Sequence, residues 1–334
     1  MSTVLKISDT RNLRRLLEES KLYKKISKDD LVAVKLHIGE KFNHKFIKPL
    51  WVKDVTDFLK EQEYRPFLTD TTTLYRGNRF TALGYLETAE VNGFNFDRDV
   101  PIIIADGLTG EHGIEFEKTE IAQAIYEADF LLVITHCTGH ISTGYGGAIK
   151  NLGMGCVTKN GKRKIHKYSM PSVDREKCIK CGTCQKNCPY NVITLNEFPK
   201  LDPKWCVGCG RCIDICPSGA LYRKGGWFKN YIRALVESAN SVIRKFSDEI
   251  YFINFLTNIT ADCDCAPQRE NLIPDIGIIS SDDIVSIDAA SYDLIEKTAG
   301  RDILKEKWNL NGRLQFKIAE KMEMGFCRYE MREI

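Results

Sequence analysis

With 334 residues, 28% of them charged, and 48 Lys and Arg against 45 Asp and Glu, the chain is long enough for one α/β domain carrying an insertion. Its net charge of +3 gives no global field for nucleic acid or an anionic membrane surface, so neither partner is expected. The opening MSTVLKISDTRNLRR lacks an export signal and the longest apolar runs are only strand-length, which predicts a cytoplasmic protein without a membrane span. Thirteen cysteines in such a chain point to metal or redox chemistry in a reducing compartment rather than to a disulfide scaffold.

In chain order, residues 11–26 set Leu13, Leu16, Leu17 and Tyr23 among charges, the pattern of a surface helix. LVAVKLHIGE (31–40) reads as a buried strand ending at His37, and Trp51, Val55, Phe58 and Leu59 mark a helix over 47–62. PFLTDTTTLYRGNRF leads into a helix reaching about Asn92. PIIIADG (101–107) is a short strand, 121–127 a short helix, and DFLLVITHCTGH (129–140) the most strand-like stretch of all. Short apolar strands alternating with helices predict an α/β fold, a mainly parallel sheet with helices on both faces.

A glycine-rich stretch, TGYGGAIKNLGMG (143–155), precedes the basic run from Lys159 to Lys167. That run reads as a solvated linker, or as charge that offsets thiolate-bound metal or meets an acidic partner. Then come CIKCGTCQKNCP and CVGCGRCIDICP. Cysteines 178, 181, 184 and 188 repeat at 206, 209, 212 and 216, each run ending in proline. This is the bacterial ferredoxin spacing for two [4Fe-4S] clusters, in which three thiolates wrap one cube and the fourth reaches the other. Cluster one would take Cys178, Cys181, Cys184 and Cys216; cluster two would take Cys206, Cys209, Cys212 and Cys188. Zinc knots usually present two cysteines, a long gap and two more ligands, which this spacing does not. The repeat extends to Gly182 with Gly210 and Ile193 with Leu221.

After Tyr222 the α/β pattern resumes. Phe228, Ile232, Leu235, Ala239, Val242 and Phe246 trace a helix face, EIYFINFLT (249–257) a strand, IGIIS another, with a helix after Asp288 and a last one over 313–325. The residues after the clusters hold too few strands for a sheet of their own. Residues 1–170 and 224–334 are therefore expected to form one α/β domain interrupted by a small α+β ferredoxin-like 2[4Fe-4S] insert at 171–223, the alternative being three consecutive domains.

Functional residues of open parallel sheets gather beyond the carboxyl ends of the strands. Here those positions hold His37; Asp70, Thr71 and Thr72; Asp106; His136, Cys137 and His140; Asn258; and the Cys263, Cys265 pair. His136 and His140, four apart, are candidates for catalysis or metal binding, against the reading of histidines that bond a buried turn. For His37 and His44 the structural role is preferred. Lys150 follows Gly146 and Gly147 where a helix N-terminus and a cation could hold an anion, although neither standard phosphate-loop motif is present. Cys263 and Cys265 would face opposite ways on a strand, so a joint site needs a turn. With Cys137 or Cys156 they could form a third metal site, against buried inert thiols. Asp282 and Asp283 precede a helix whose cap could be Ser286 or Asp288.

DTTTLYRGNR, THCTGHISTGYGGAIKNLGMG, the two cysteine runs, CDC and DIGIISSDDIVSIDAAS together resemble the iron-sulfur centre proteins of the family called domain of unknown function 362, over nearly the whole chain. The resemblance implies an α/β domain with a ferredoxin-like insert. It also supports His136, His140, Lys150, Asn151, Cys263 and Cys265 as site candidates, and it supplies no reaction. The expected function is an iron-sulfur redox protein whose clusters pass single electrons to or from a small-molecule or metal site on the α/β domain, with a redox protein or small molecule as partner. The alternative is a non-catalytic electron carrier or a metal-centre assembly factor. Substrate, reduction potential and oligomeric state are not legible.

Overall fold

A computed structural model describes residues 2–41, 43–267 and 270–334. Its central sheet has eight strands: β1 (Ser2–Ile7), β2 (Leu31–Lys35), β3 (Arg65–Asp70), β4 (Ile102–Ile104), β5 (Phe130–His136), β6 (Ile250–Leu256), β7 (Gly277–Ser281) and β8 (Tyr329–Glu333). They lie in the order β8-β1-β7-β6-β5-β2-β3-β4. Only β7 runs against the rest.

Sequence explains the layering. In β5 and β6 every residue is buried, as strands covered on both faces require. Along β5, Leu131 and Val133 enter one core with the helices Ala148–Gly155, Trp227–Phe246 and Ile284–Ala299. Phe130, Leu132 and Ile134 enter the opposite core with Leu13–Ser20, Pro49–Glu61 and Ala82–Val91. The fold is thus a mainly parallel α/β sheet with helices on both faces. No helix among the described residues is long and apolar enough to cross a membrane.

Strands β1 to β5 precede the cysteine runs and β6 to β8 follow them, yet all share one sheet. Between them Ser172–Val173 pairs antiparallel with Leu221–Tyr222, so the chain leaves and re-enters the body at adjacent points. The segment has its own small core of Cys184, Val192, Ile193, Cys206, Cys212 and Leu221. Gly182 and Gly210 stand at equivalent places, at φ 74° and 86°, where each run turns into a four-residue helix. Only glycine takes that conformation without strain.

Several expectations are corrected. The sequence-predicted helix over 121–127 is a strand, Thr119–Ala122, followed by one turn of helix, Gln123–Tyr126. The strand expected over 129–140 ends at His136, and Thr138–His140 turns back to pair with Gly144–Gly146. Asp283, not Ser286 or Asp288, caps the helix Ile284–Ala299, accepting from the Val285 and Ser286 N–H groups at 2.8 Å. The basic run is not a solvated linker. It forms the helix Lys159–His166, with Lys159 1% exposed and its Nζ donating to the Phe80 and Thr109 carbonyls at 2.6 and 2.7 Å. Burial pushes the ammonium groups of Lys159 and Lys162 down to about 8.

Candidate functional site

Beyond the carboxyl ends of β2, β3 and β5, the loops together with the 262–267 segment after β6 enclose a cavity of about 480 Å³. That lies within the range of small-molecule sites, at the edge where open parallel sheets bind ligands. Its floor is a buried ion pair. Lys35 Nζ lies 2.9 Å from Asp70 Oδ1 and donates to Asn151 Oδ1 at 2.6 Å, while the Tyr85 hydroxyl donates to Asp70. Burial works against the Asp70 carboxylate, but Lys35 and His37 outweigh it and hold its pKa below the usual range. Asn151 also donates to the Ile134 carbonyl and to Thr135 Oγ1, both at 3.0 Å, tying its helix to the end of β5.

His136 closes β5 with both ring nitrogens facing acceptors, Nδ1 at 2.7 Å from Asp264 Oδ1 and Nε2 at 2.6 Å from the Thr257 carbonyl. Two acceptors call for two N–H groups, and the ring is an imidazolium. Burial opposes that charge, but Asp264 prevails and raises its pKa, while His136 lowers that of Asp264 against the same burial. His136 therefore has no nitrogen left for a metal and acts as the anchor of the 262–267 segment. The same segment is held by Asn43 Nδ2, donating to the Asp264 and Ala266 carbonyls at 3.0 and 3.1 Å, and the residue just before it by Trp308 Nε1, donating to the Ala261 carbonyl at 2.6 Å.

Within that clamp the Ala266 N–H donates to the Cys263 carbonyl at 2.9 Å, closing the turn that would let the two cysteines share a face. Both are half-buried and both line the cavity. Arg79 Nη2 donates to the Cys265 sulfur at 3.1 Å, and His37 Nε2 lies 3.2 Å from it. Arg79 is 2% exposed and is itself fixed by donating Nε to Glu40 at 2.8 Å and Nη2 to the Tyr75 hydroxyl at 2.9 Å. The Cys263 thiol, with His37 and Arg79, pulls the pKa of Cys265 well below the ordinary thiol value against burial. The same contact with Cys265, reinforced by burial, drives Cys263 the other way.

His140 lines the cavity from the hairpin, its Nδ1 accepting from the Ser142 N–H at 3.1 Å. Burial and then Lys150 push its pKa well down, so it is a neutral imidazole. Lys150 lines the cavity without a hydrogen bond or ion pair among the described residues, its alkyl chain lying along Gly146. The helix N-terminus beside it is not an open anion site. Asp288 fills it, accepting from the Ala148 N–H at 2.7 Å and the Ile149 N–H at 2.9 Å. A side chain at Gly147 would strike Asp288, which accounts for that glycine. Cys137 and Cys156 do not join Cys263 and Cys265. Both are fully buried, and burial pushes each thiol up to about 12, Cys137 accepting from the Tyr145 hydroxyl at 3.3 Å.

Two smaller cavities lie in the 171–223 segment. Cys178, Cys181, Cys184 and Cys216 line one. Cys188, Cys206, Cys209 and Cys212 line the other, and Cys209, Tyr190 and Val207 line the strand-end cavity as well. The two regions also touch through aromatic rings, Tyr75 with Tyr190 at 5.8 Å and Phe80 with Trp205 at 5.5 Å. No group of three or more His, Cys, Asp or Glu side chains among the described residues is arranged to hold a single metal ion.

Sequence reasoning overlooked Arg79 and set His37 aside as structural. Both converge on Cys265, and the one available signal was their place in loops that follow strands.

Fold and cavity together define an α/β protein with a ligand-sized site at the carboxyl edge of a mainly parallel sheet. Residues 32–293 match the family described as Domain of unknown function (DUF362), and the chain belongs to it. Among solved structures it is similar to the lactate racemase apoprotein from Thermoanaerobacterium thermosaccharolyticum, at 13% identity and TM-score 0.39, covering 77% of this chain and 51% of that one. It is also similar to a crystal structure of a protein from Thermotoga maritima, at 14% identity and TM-score 0.44, covering 88% and 59%. The chain thus spans less than two thirds of either. No curated protein matches it in sequence.

Proposed function

We propose that this chain is an iron-sulfur redox protein in which an insert at residues 171–223 holds two [4Fe-4S] clusters and single electrons pass between that insert and a small molecule in the strand-end cavity. Cys178, Cys181, Cys184 and Cys216 would hold one cluster; Cys188, Cys206, Cys209 and Cys212 would hold the other. The bound clusters would supply reversible one-electron chemistry. Each set of four thiols rings a space instead of meeting at one point, which suits a cube with metals at its corners better than a lone zinc ion.

The observation that carries the reading is the double position of Cys209, in the wall of both its own thiol cavity and the substrate-sized one. Tyr190 shares that wall and packs on Tyr75, which is bonded to Arg79 and so to the Cys265 sulfur. Donor and acceptor would be separated by a few packed side chains. At the far end Cys181 is exposed, the face on which a redox partner protein would dock. In the cavity Lys150, unpaired among the described residues, supplies a cation and His140 a neutral imidazole for ligand binding and proton transfer, while Lys35, Asp70 and Asn151 fix the floor.

The test is anaerobic purification from a cytoplasmic expression host, with iron, sulfide and full metal analysis and EPR of the reduced protein. About eight irons and eight sulfides per chain are expected, with a signal from reduced cubanes. Zinc in place of iron, or about four irons or fewer after reconstitution, would overturn the reading.

A further inference from the structure

We propose that Cys263 and Cys265 are a redox-active dithiol, Cys265 attacking and Cys263 resolving, that exchanges with a small anionic disulfide bound beside Lys150. This goes beyond the electron-transfer reading and does not depend on it, because thiol-disulfide exchange balances without the clusters.

The hydrogen bond that closes the 263–266 turn brings two cysteines of one short sequence to one cavity wall. A buried guanidinium 3.1 Å from one sulfur has little purpose beside an inert thiol, since it gives a donor to an atom that accepts poorly unless ionised. Cys137 and Cys156 supply the internal contrast, each buried in the core with no cation among the described residues bonded to its sulfur. The turn is also clamped from three directions, by His136, Asn43 and Trp308, which is more restraint than a surface loop needs. Rigid support of this kind is what a reacting pair requires.

Charge then assigns the roles. Cys265 is faced by Cys263 and Asp264 of its own turn, by His37 and Arg79 from the loops after β2 and β3, by His140 of the hairpin and by Tyr75. Lys150 acts on Cys263 from the helix Ala148–Gly155, and Glu40 pairs with Arg79. The guanidinium bonded to the Cys265 sulfur favours the thiolate there and leaves Cys263 as the protonated partner.

The Cys265 thiolate attacks one sulfur of the bound disulfide, forming a mixed disulfide and releasing the first thiolate. Cys263 then attacks the Cys265 sulfur, its proton passing to the second departing thiolate. The Cys263–Cys265 bond forms, the external S–S bond is gone, and two electrons have moved to the two released thiols. An anionic disulfide is indicated because Lys150, in this wall, has no hydrogen bond or ion pair among the described residues.

The test uses the full chain, purified anaerobically, with iron counted on the same sample. Timed iodoacetamide labelling across pH and peptide mapping should show Cys265 reacting before Cys263, with a midpoint well below the ordinary thiol value of about 8.5. Oxidised glutathione should produce the Cys263–Cys265 disulfide and two equivalents of glutathione. Cys263→Ser should stop at a glutathione adduct on Cys265, and Cys265→Ser should give neither product. Arg79→Met should slow Cys265 labelling at pH 7 about tenfold or more, one unit of pKa being a factor of ten; the wild-type pH midpoint stands as the measurement if that variant does not fold. Lys150→Met should slow reaction with oxidised glutathione more than with the neutral hydroxyethyl disulfide. An ordinary midpoint for Cys265, earlier labelling of Cys263, or no internal disulfide in the wild type would overturn the proposal. Equal slowing of both probes would overturn the role of Lys150. Exchange in iron-free protein would support the dithiol and sink the cluster reading, and iron without exchange would do the reverse.

Discussion

The thiols of the insert and those of the 263–265 turn are held by opposite means. Eight cysteines between 178 and 216 are placed by two short runs, each entering its short helix through a left-handed glycine, Gly182 or Gly210, and a small apolar core completes the unit. Cys265, by contrast, meets groups 228 and 186 residues away in sequence, His37 and Arg79. A donor set encoded as spacing is carried by its own segment. A thiolate stabilised by charge belongs to the whole sheet, because loops after three strands must all arrive.

The largest expected effect probes the first half of that contrast. Cys188→Ser and Cys216→Ser should each leave about four of about eight irons, and on the proposed pairing they should remove different EPR components while Cys265 labelling stays as in wild type. A change in that labelling would erase the distinction between the two regions.

Next is Asp264→Asn, which strands the His136 imidazolium. Breaking a buried pair costs about 3–5 kcal/mol, read by urea unfolding, and the iron content of the folded fraction should not change. Its pH dependence has a definite sign. The raised His136 contributes stability that is full below its ordinary value of 6.5 and is lost as pH rises through the higher folded value. The lowered Asp264 contributes above its ordinary 3.8 and loses that contribution as pH falls through the lower folded value. The pair should therefore help most between those two ordinary values, and the wild-type advantage over Asp264→Asn should shrink on the alkaline side.

A comparable but opposite signature belongs to Asp288, 0% exposed, whose carboxyl burial pushes up to about 6. Between its ordinary 3.8 and about 6 the unfolded chain has given up a proton that the folded chain keeps, so stability falls as pH rises through that window. The fall is on the order of 3 kcal/mol at 1.36 kcal/mol per unit. It should be missing from Asp288→Asn in urea titrations between pH 4 and 6.

The smallest effect is expected for Gly139→Ala. The added carbon would press on the Ala261 carbonyl at the start of the clamped segment, costing about 1–3 kcal/mol by urea unfolding and slowing Cys265 alkylation, with iron retained.

These two modes of placement also decide what could be read from the chain. β5 and β6 were legible because continuous apolar runs have few other fates, and the cysteine runs because their spacing is local. β1 and β8 were not. STVLKI has only three apolar residues in six and YEMRE is mostly charged, and the two strands pair in parallel with each other at one margin of the sheet. Lys159 and Lys162 looked solvated because composition does not record that the Phe80 and Thr109 carbonyls receive the ammonium of Lys159, and the Thr71 hydroxyl and Val157 carbonyl that of Lys162. The glycine-rich loop looked ready for an anion because Asp288, which occupies its helix N-terminus, lies 140 residues further along. Arg79 had no periodicity or spacing to mark it.

The two-residue neck at Ser172–Val173 and Leu221–Tyr222 has a consequence for how such a molecule can change over time. To the sheet, everything beyond the neck is one surface loop. Closing a loop costs only about 0.6 kcal/mol more for each doubling of its length. Lengthening, shortening or exchanging this segment should therefore disturb the host sheet little, the contacts at risk being the ring pairs at Tyr75 and Phe80, the Arg163 bond to the Lys204 carbonyl and the part of the cavity wall that Tyr190, Val207 and Cys209 supply. A segment attached in this way is an accessory that a lineage can gain or lose without redesigning the core that carries it.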